Sequence, residues 1–286
     1  MLRLISFAFA MLLGSAAVAD PGLKALIVDG QNNHNWKLTT PRLKQALEQT
    51  GLFVVDIATA PSGDTTGFKP NFADYNVVVS NYNGAPWPKE TQDAFVEYVK
   101  NGGGFVSIHA ANNSFPDWKE YNQMLGVAGW GGRNEKWGPY VRFRDGKFAR
   151  DAQPGNAGSH GAYHAFVIDM RNSDHPVAAG LPARWMHAAD ELYDRLRGPA
   201  ENLTVLGTAH ADPAKGGSGE NEPMLMVIDY GKGRVFHTTL GHDQNSMKCV
   251  GFIATFQRGA EWGATGKVTQ KLPDDFPNAE KVSVRE

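Results

Sequence analysis

Residues 24–29 (KALIVD), followed by Gly30, are the stretch that decides the fold. An uninterrupted apolar run of this length that stops at a glycine predicts a strand buried on both faces of a sheet. The next segment, residues 40–51, has apolar side chains at helical spacing and also ends at a glycine, and residues 53–57 form a second strand-like run. A strand, a helix and a strand in this order predict a βαβ unit, and therefore a parallel sheet covered by helices.

The same alternation extends over most of the chain. Further strands are predicted at residues 75–80, 105–109, 203–207, 224–229 and 234–239, with helices at 88–100 and 245–261. Residues 118–161 are rich in Gly, Asn and Trp and contain only one strand-like run, at 140–143. We therefore expect one α/β domain over residues 20–266 with a mostly parallel central sheet, an irregular excursion at about 118–161, and a polar, loosely ordered tail at 267–286.

The amino terminus predicts export. Arg3 precedes an apolar run at residues 4–13, and Ala17-Val18-Ala19 has the small-x-small pattern of a signal-peptidase site. We expect residues 1–19 to be a signal peptide cleaved after Ala19, which would make the mature protein periplasmic or secreted. The apolar run is shorter than the roughly 20 residues that a permanent membrane span requires.

Composition excludes some classes of protein. The formal net charge is -2 and the basic residues are scattered, so no basic stripe of the kind that binds nucleic acid is present. Cys249 is the only cysteine, so the fold contains no internal disulfide, and we expect this thiol to be a buried core residue.

Polar residues follow several of the predicted strands. Open parallel sheets bind ligands beyond the carboxyl ends of their strands, where the connecting loops separate. Amides and imidazoles occur at four such points, in segments 29–34, 81–84, 109–113 and 241–243. We therefore expect a polar, histidine-rich crevice at this edge, with Asp29, His34, Asn83 and Asn112 as substrate-binding candidates. Nearby tryptophans would suit the apolar face of a sugar ring; the alternative is that they form the core of the excursion.

His109 ends a predicted strand at the position where a nucleophile elbow carries serine or cysteine. The two residues that follow it are Ala110 and Ala111, so no side chain at this turn can act as an acyl-transfer nucleophile. We expect His109 to be a general acid or base, a hydrogen-bonding partner of substrate or a metal ligand. The alternative is a histidine that caps the strand through hydrogen bonds.

His160 and His164 are four residues apart, a spacing that can place two histidines on one face and bind a metal if a third ligand converges. The candidates for the third ligand are His242, His109 and Glu191, and His242 completes the preferred metal set. The alternative is that His160 and His164 lie at the surface or face the substrate, without a metal.

Carboxylates offer further candidates. Asp190 and Glu191 follow His187 closely, which predicts either an acid/base pair or a solvated acidic turn. Glu222 would lie at the edge of the sheet opposite the crevice if its strand runs parallel to the others.

Five ordered motifs carry a family resemblance. They are GGGFVSIHAA (102–111), DHPVAAGLP (174–182), DELY (190–193), NEPMLMVIDYGKGRVF (221–236) and TLGHD (239–243). Over residues 23–262 the chain resembles the trehalose-utilisation (ThuA-like) family, whose fold is a flavodoxin-like, class I glutamine-amidotransferase-like three-layer sandwich. The amidotransferase cysteine should fall at about His109 or Ala110 and is missing. Glutaminase activity, which needs a covalent thioester, is therefore not expected.

The resemblance implies a role in carbohydrate metabolism, in the breakdown of trehalose or a related disaccharide, with keto-sugar intermediates made by an upstream oxidoreductase. We hypothesise an exported enzyme that processes a disaccharide or keto-glycoside by acid/base chemistry, with His109 and His242 as the pair and Glu191 orienting an imidazole. No cofactor is required, a divalent metal is possible, and neither nucleic acid nor membrane is an expected partner. The alternatives are a non-catalytic periplasmic sugar-binding module and a metal-dependent hydrolase of another small substrate.

Overall fold

The computed structural model describes residues 22–286, so the expected signal peptide and its cleavage point lie outside the described residues. The strands are β1 (Leu23–Asp29), β2 (Phe53–Thr59), β3 (Val77–Ser80), β4 (Gly104–Ile108), β5 (Tyr140–Arg144), β6 (Lys147–Asp151), β7 (Ser159–His160), β8 (His164–Met170), β9 (Arg184–Asp190), β10 (Tyr193–Asp194), β11 (Leu203–His210), β12 (Asn221–Tyr230) and β13 (Gly233–Thr238). Nine of them form one sheet in the order β2-β1-β3-β4-β13-β12-β11-β8-β9.

This sheet has a parallel part, as predicted, and an antiparallel part. The first five strands in its order run parallel to one another, and β12, β11, β8 and β9 add in antiparallel fashion. The reversal occurs where Tyr230 pairs with Gly233 across a tight turn that joins β12 to β13. So short a connection can only join antiparallel neighbours, because a parallel pair needs a long crossover. The predicted strand positions were correct. The sequence pattern did not indicate the direction of β12, because that direction depends on the length of this turn.

Helices cover both faces of the sheet. They are α1 (Trp36–Glu48), α2 (Lys89–Lys100), α3 (Lys119–Leu125) and α4 (Val250–Thr265). One core contains Ile27 of β1 with side chains of α1 and α4, and a second core contains its neighbour Leu26 with side chains of α2 and α3. Successive residues of a strand point to opposite faces, so the KALIVD segment is buried on both sides, as predicted. No helix within residues 22–286 is both long and apolar enough to cross a membrane.

Contact between sheet and helix is close at the centre of the fold. A Cβ atom added to Gly104, the first residue of β4, would lie 2.5 Å from the backbone of Gly263 in α4. Only a glycine allows the helix to approach this strand so closely. This close approach positions β4, whose last residue precedes the crevice.

The excursion contains more order than its sequence indicates. It includes the predicted strand β5, but also its hairpin partner β6, whose mostly exposed residues carry no apolar pattern. Two buried arginines satisfy its irregular backbone. Arg133 donates to the carbonyls of Asn113, Ser114 and Gly129, and Arg197 donates to carbonyls on both sides of the hairpin.

The tail is packed rather than loosely ordered. The ring of Phe276 lies 5.5 Å from that of Trp185, between centroids, and the amides of Val250 and Met186 donate to the carbonyls of Ser283 and Asn278. Its few apolar residues are too widely spaced to form a periodic pattern, so sequence periodicity could not reveal this packing.

Candidate functional site

Four side chains from four separate loops meet at the carboxyl edge of the parallel strands. His34 follows β1, His109 follows β4, Glu191 follows β9 and His242 follows β13. Each offers one nitrogen or oxygen atom, and these atoms all lie within 4.8 Å of one another. We refer to these four residues as the His–Glu cluster.

His109 has the most constrained backbone in the cluster. It begins a 3₁₀ turn with a φ of 44°, in the left-handed region that residues other than glycine rarely adopt. Its Nδ1 lies 2.6 Å from the carbonyl oxygen of Thr239, and since a carbonyl can only accept, Nδ1 carries the proton. Its Nε2 therefore points toward Glu191, whose Oε2 is 3.5 Å away. Strain of this kind is typical of functional sites, where the surrounding fold maintains it.

Glu191 is the centre of charge in the crevice. Its Oε2 lies 3.0 Å from Nδ1 of His242, and its Oε1 lies 3.6 Å from Nε2 of His160. Burial would raise the pKa of Glu191, but His109 and His242 hold it well below its usual value. The carboxylate in turn raises the pKa of His242. Burial, together with His109 and His242, lowers the pKa of His34 to about 4.

His109 and His242, the predicted acid/base pair, lie close to each other. The ring of His34 is close to both. The ring centroids of His109 and His242 are 5.4 Å apart, and His34 is 5.0 Å from the first and 4.4 Å from the second. His34 was expected to hold a substrate hydroxyl, but the structure places it inside the cluster.

The predicted metal set is not the set that the structure brings together. His160 lies in β7 and His164 begins β8, with a turn between them, so the two histidines do not belong to one regular strand or helix. Nδ1 of His164 lies 2.6 Å from the carbonyl oxygen of Ala162. Among the described residues, the group able to hold a metal is the His–Glu cluster, which contains the third-ligand candidates His109, Glu191 and His242 but neither His160 nor His164.

A cavity of about 380 Å³ opens beside the cluster. It is lined by Asn33, His34, Asn83, Asn113, Trp130, Gly131, His160, Glu191 and Tyr193. Asn83 is where the sequence predicted it. Trp130 is one of the tryptophans expected near the crevice, whereas Tyr193 and Asn113 were not among the predicted site residues, although Tyr193 ends the DELY motif. The Tyr193 hydroxyl lies 3.4 Å from Nε2 of His34, so it links the cavity wall to the cluster.

Two other predicted substrate-binding residues do not line this cavity. Asp29 is buried and accepts a hydrogen bond from the hydroxyl of Thr59 on the neighbouring strand. Asn112 is fully buried, and its side-chain amide contacts Nε2 of His237 at 3.0 Å. The 3₁₀ turn directs Asn112 inward and brings the next residue, Asn113, to the cavity.

Asp190 holds the loops that carry the cluster. Its fully buried carboxylate accepts hydrogen bonds from the amides of Glu191, Gly241 and His242 and from Nε2 of His187. Burial alone would lower the pKa of His187, but the neighbouring Cys249 and Asp190 raise it to about 9. The predicted pairing of His187 with a carboxylate is therefore present as a buried support, and the solvated-turn alternative is wrong. Cys249 is buried, as expected.

Glu222 lies at the same edge of the sheet as the crevice, because β12 runs antiparallel. The expectation that it would lie at the opposite edge was wrong. It is fully buried, accepts a hydrogen bond from Ser218 and lies 3.6 Å from Nε of Arg142. Burial raises the pKa of Glu222 to about 7, although Ser218 and Arg142 oppose the shift and only Asp194 adds to it.

The titration of Glu222 predicts a pH-dependent stability. A folded-state pKa above the usual 4.5 means that the folded protein binds this proton more tightly, so stability is lost as the pH rises through about 7. Relative to Glu222→Gln, the wild-type free energy of unfolding should fall by about 3 kcal/mol between pH 5 and pH 8. Urea unfolding of both proteins at several pH values measures this difference. A difference that does not change with pH would contradict the prediction.

The chain matches a family model and several solved structures. A family model described as trehalose utilisation (ThuA) matches residues 24–263. The crystal structure of a ThuA-like protein from Parabacteroides merdae is 49% identical, with a TM-score of 0.90 over 92% of this chain and 98% of that one. A ThuA-like protein from Bacteroides uniformis is 19% identical, with a TM-score of 0.57 over 90% of this chain and 97% of the other, and that likeness shows the fold alone. No curated protein matches the chain.

Proposed function

The chain belongs to the trehalose-utilisation (ThuA) family, and from this premise we propose that it is an exported carbohydrate-processing enzyme that acts on a keto-glycoside without a covalent intermediate. The observation that carries the proposal is the His–Glu cluster at the wall of a polar cavity. The cavity has room for a sugar ring, and it combines the amides of Asn33, Asn83 and Asn113 with the indole of Trp130. Amides bind hydroxyls, and an indole packs on the apolar face of a sugar.

The position of His109 supports chemistry without a covalent nucleophile. We propose that the strand order β2-β1-β3-β4-β13 corresponds to the flavodoxin-like arrangement of class I glutamine amidotransferases, which places His109 at their nucleophile position. The described residues that line the cavity include no serine, threonine or cysteine. Acyl transfer through the protein is therefore disfavoured.

A keto-glycoside presents chemistry that the cluster can perform. A carbonyl acidifies the proton on the neighbouring ring carbon. Removing that proton while the carbonyl oxygen is stabilised starts elimination or isomerisation. The reaction needs one group that acts on the carbonyl oxygen and one that accepts a proton. We propose that His109, His242 and Glu191 supply these functions, and that an upstream sugar oxidoreductase supplies the substrate.

The test is turnover of a 3-keto glycoside by the full chain, followed by proton NMR in D₂O. We expect the proton beside the carbonyl to exchange or disappear faster than in buffer alone, followed by a new product. The parent glycoside, which has no carbonyl, is the control and should remain unchanged. Calorimetry measures affinity in parallel. Binding of the keto-glycoside with no exchange and no product would indicate a sugar-binding module and overturn the proposal.

A further inference from the structure

The geometry points to a divalent transition-metal site of the Zn²⁺ class formed by His34, His109, Glu191 and His242. The site deepens the proposed function and rests on it only for what the cation would do in catalysis. The site itself depends only on the positions of its ligand atoms.

Convergence of the ligand atoms is the first observation. Four groups from four distant parts of the chain place one donor atom each within 4.8 Å of all the others. Glu191 is central, with Oε2 at 3.0 Å from Nδ1 of His242 and at 3.5 Å from Nε2 of His109. A cation held at about 2.0–2.2 Å by nitrogen and oxygen atoms needs ligand atoms spaced on this scale.

Missing hydrogen-bond partners are the second observation. Nε2 of His109 and Nδ1 of His242 are both buried, and neither has a hydrogen-bond partner among the described residues. His109 itself is 2% exposed. Both nitrogens face the Glu191 carboxylate, at 3.5 Å for His109 and 3.0 Å for His242. Because buried polar atoms are almost always paired, two nitrogens whose one polar contact here is with the Glu191 carboxylate have lone pairs available to a shared cation.

The orientation of His109 is the third observation. A metal-binding histidine typically donates its other ring N–H to a carbonyl or carboxylate, which fixes the ring and leaves a lone pair for the metal. Nδ1 of His109 donates to the carbonyl of Thr239, three residues before His242 in the chain. This contact therefore aims Nε2 of His109 into the cluster and connects it to the loop that carries His242.

The donor set selects the class of cation. Three imidazoles and one carboxylate suit Zn²⁺ and similar transition metals. Mg²⁺ and Ca²⁺ prefer oxygen ligands and a larger number of them. His34 and Glu191 also line the cavity, so a bound cation would border the space proposed for substrate and could polarise a carbonyl oxygen there. With the cation bound, His109, His242 and Glu191 would act on the carbonyl oxygen as its ligands, and His160, which lines the same cavity, would be the group placed to accept the proton.

The test measures binding of Zn²⁺ alone to the untagged full chain after chelator treatment. We expect one Zn²⁺ per chain by calorimetry and by elemental analysis after dialysis, with no competition from an equal concentration of Mg²⁺. Glu191→Gln and His34→Asn should each weaken Zn²⁺ binding by at least 100-fold. His164→Asn, outside the cluster, is the matched control and should bind as the wild type does. Zn²⁺ should also raise the melting temperature of the wild type but not of Glu191→Gln, which would distinguish ligand loss from misfolding.

The outcomes separate this inference from the proposed function. A wild-type chain that retains no stoichiometric Zn²⁺, that prefers Mg²⁺, or that loses its binding equally in His164→Asn would overturn the metal site. Full turnover of the keto-glycoside by metal-free protein would overturn the catalytic role assigned to the cation while leaving the proposed function intact. Tight Zn²⁺ binding without any turnover would support the site and overturn the proposed function.

Discussion

Replacing His109 with asparagine is expected to lower kcat/KM for the keto-glycoside by a factor of about 10²–10⁴, the contribution typical of a positioned proton-transfer group. Asparagine tolerates the left-handed backbone at this position better than most residues, and its amide can still donate to the carbonyl of Thr239. The variant therefore removes the Nε2 lone pair while retaining most of the local structure. Steady-state kinetics with the keto-glycoside measures the effect.

Two companion variants make the result interpretable. His164→Asn makes the same chemical change outside the cluster and should retain wild-type turnover. His109→Ala should lose activity to the same extent but also stability, because alanine is strained at a φ of 44°. If His109→Asn retains wild-type kcat/KM, His109 takes no part in the chemistry, and the strand-capping alternative is correct.

Replacing Asp190 with asparagine should lower the free energy of unfolding by about 3–5 kcal/mol, the usual cost of removing one partner of a buried ion pair. The carboxylate accepts four hydrogen bonds, from His187, Glu191, Gly241 and His242. An asparagine amide would direct its own N–H groups at some of these donors. The charge on His187, whose pKa is about 9, would also lose its partner at neutral pH.

Chemical unfolding at pH 7 measures this change. Asp212→Asn provides the control, because Asp212 also accepts a backbone N–H, from Ala214, but caps a turn, where asparagine serves equally well. If Asp190→Asn lowers the free energy of unfolding no more than Asp212→Asn does, the amides of the two loops find other acceptors.

The sequence was informative wherever the determining interaction is local. Buried strands such as KALIVD are recognised by their composition, and the His109 turn by the strand and the small residues around it. The direction of a strand and the contacts between residues far apart in the chain were harder to predict. The mixed character of the sheet depends on a two-residue turn after Tyr230, and the burial of the tail depends on a few isolated apolar residues such as Phe276.

Within the site, the sequence identified the loops but not the orientation of the side chains. It selected His34, His109, Glu191 and His242, yet assigned the metal to His160 and His164 because of their spacing. The register of a turn decides whether Asn112 or Asn113 faces the cavity, and no pattern in the sequence reports that register. Long-range convergence of this kind requires the tertiary fold.

The packing of the tail has a consequence for self-association. β9 ends the nine-stranded sheet, so one side of its backbone has no neighbouring strand within that sheet. An exposed sheet edge is a template on which a second copy can pair and aggregate. The tail covers part of that edge, since the carbonyl of Asn278 accepts the amide of Met186 in β9. Through this contact the tail occupies part of the β9 edge, so a second copy has less free backbone to pair with next to the strand that precedes Glu191.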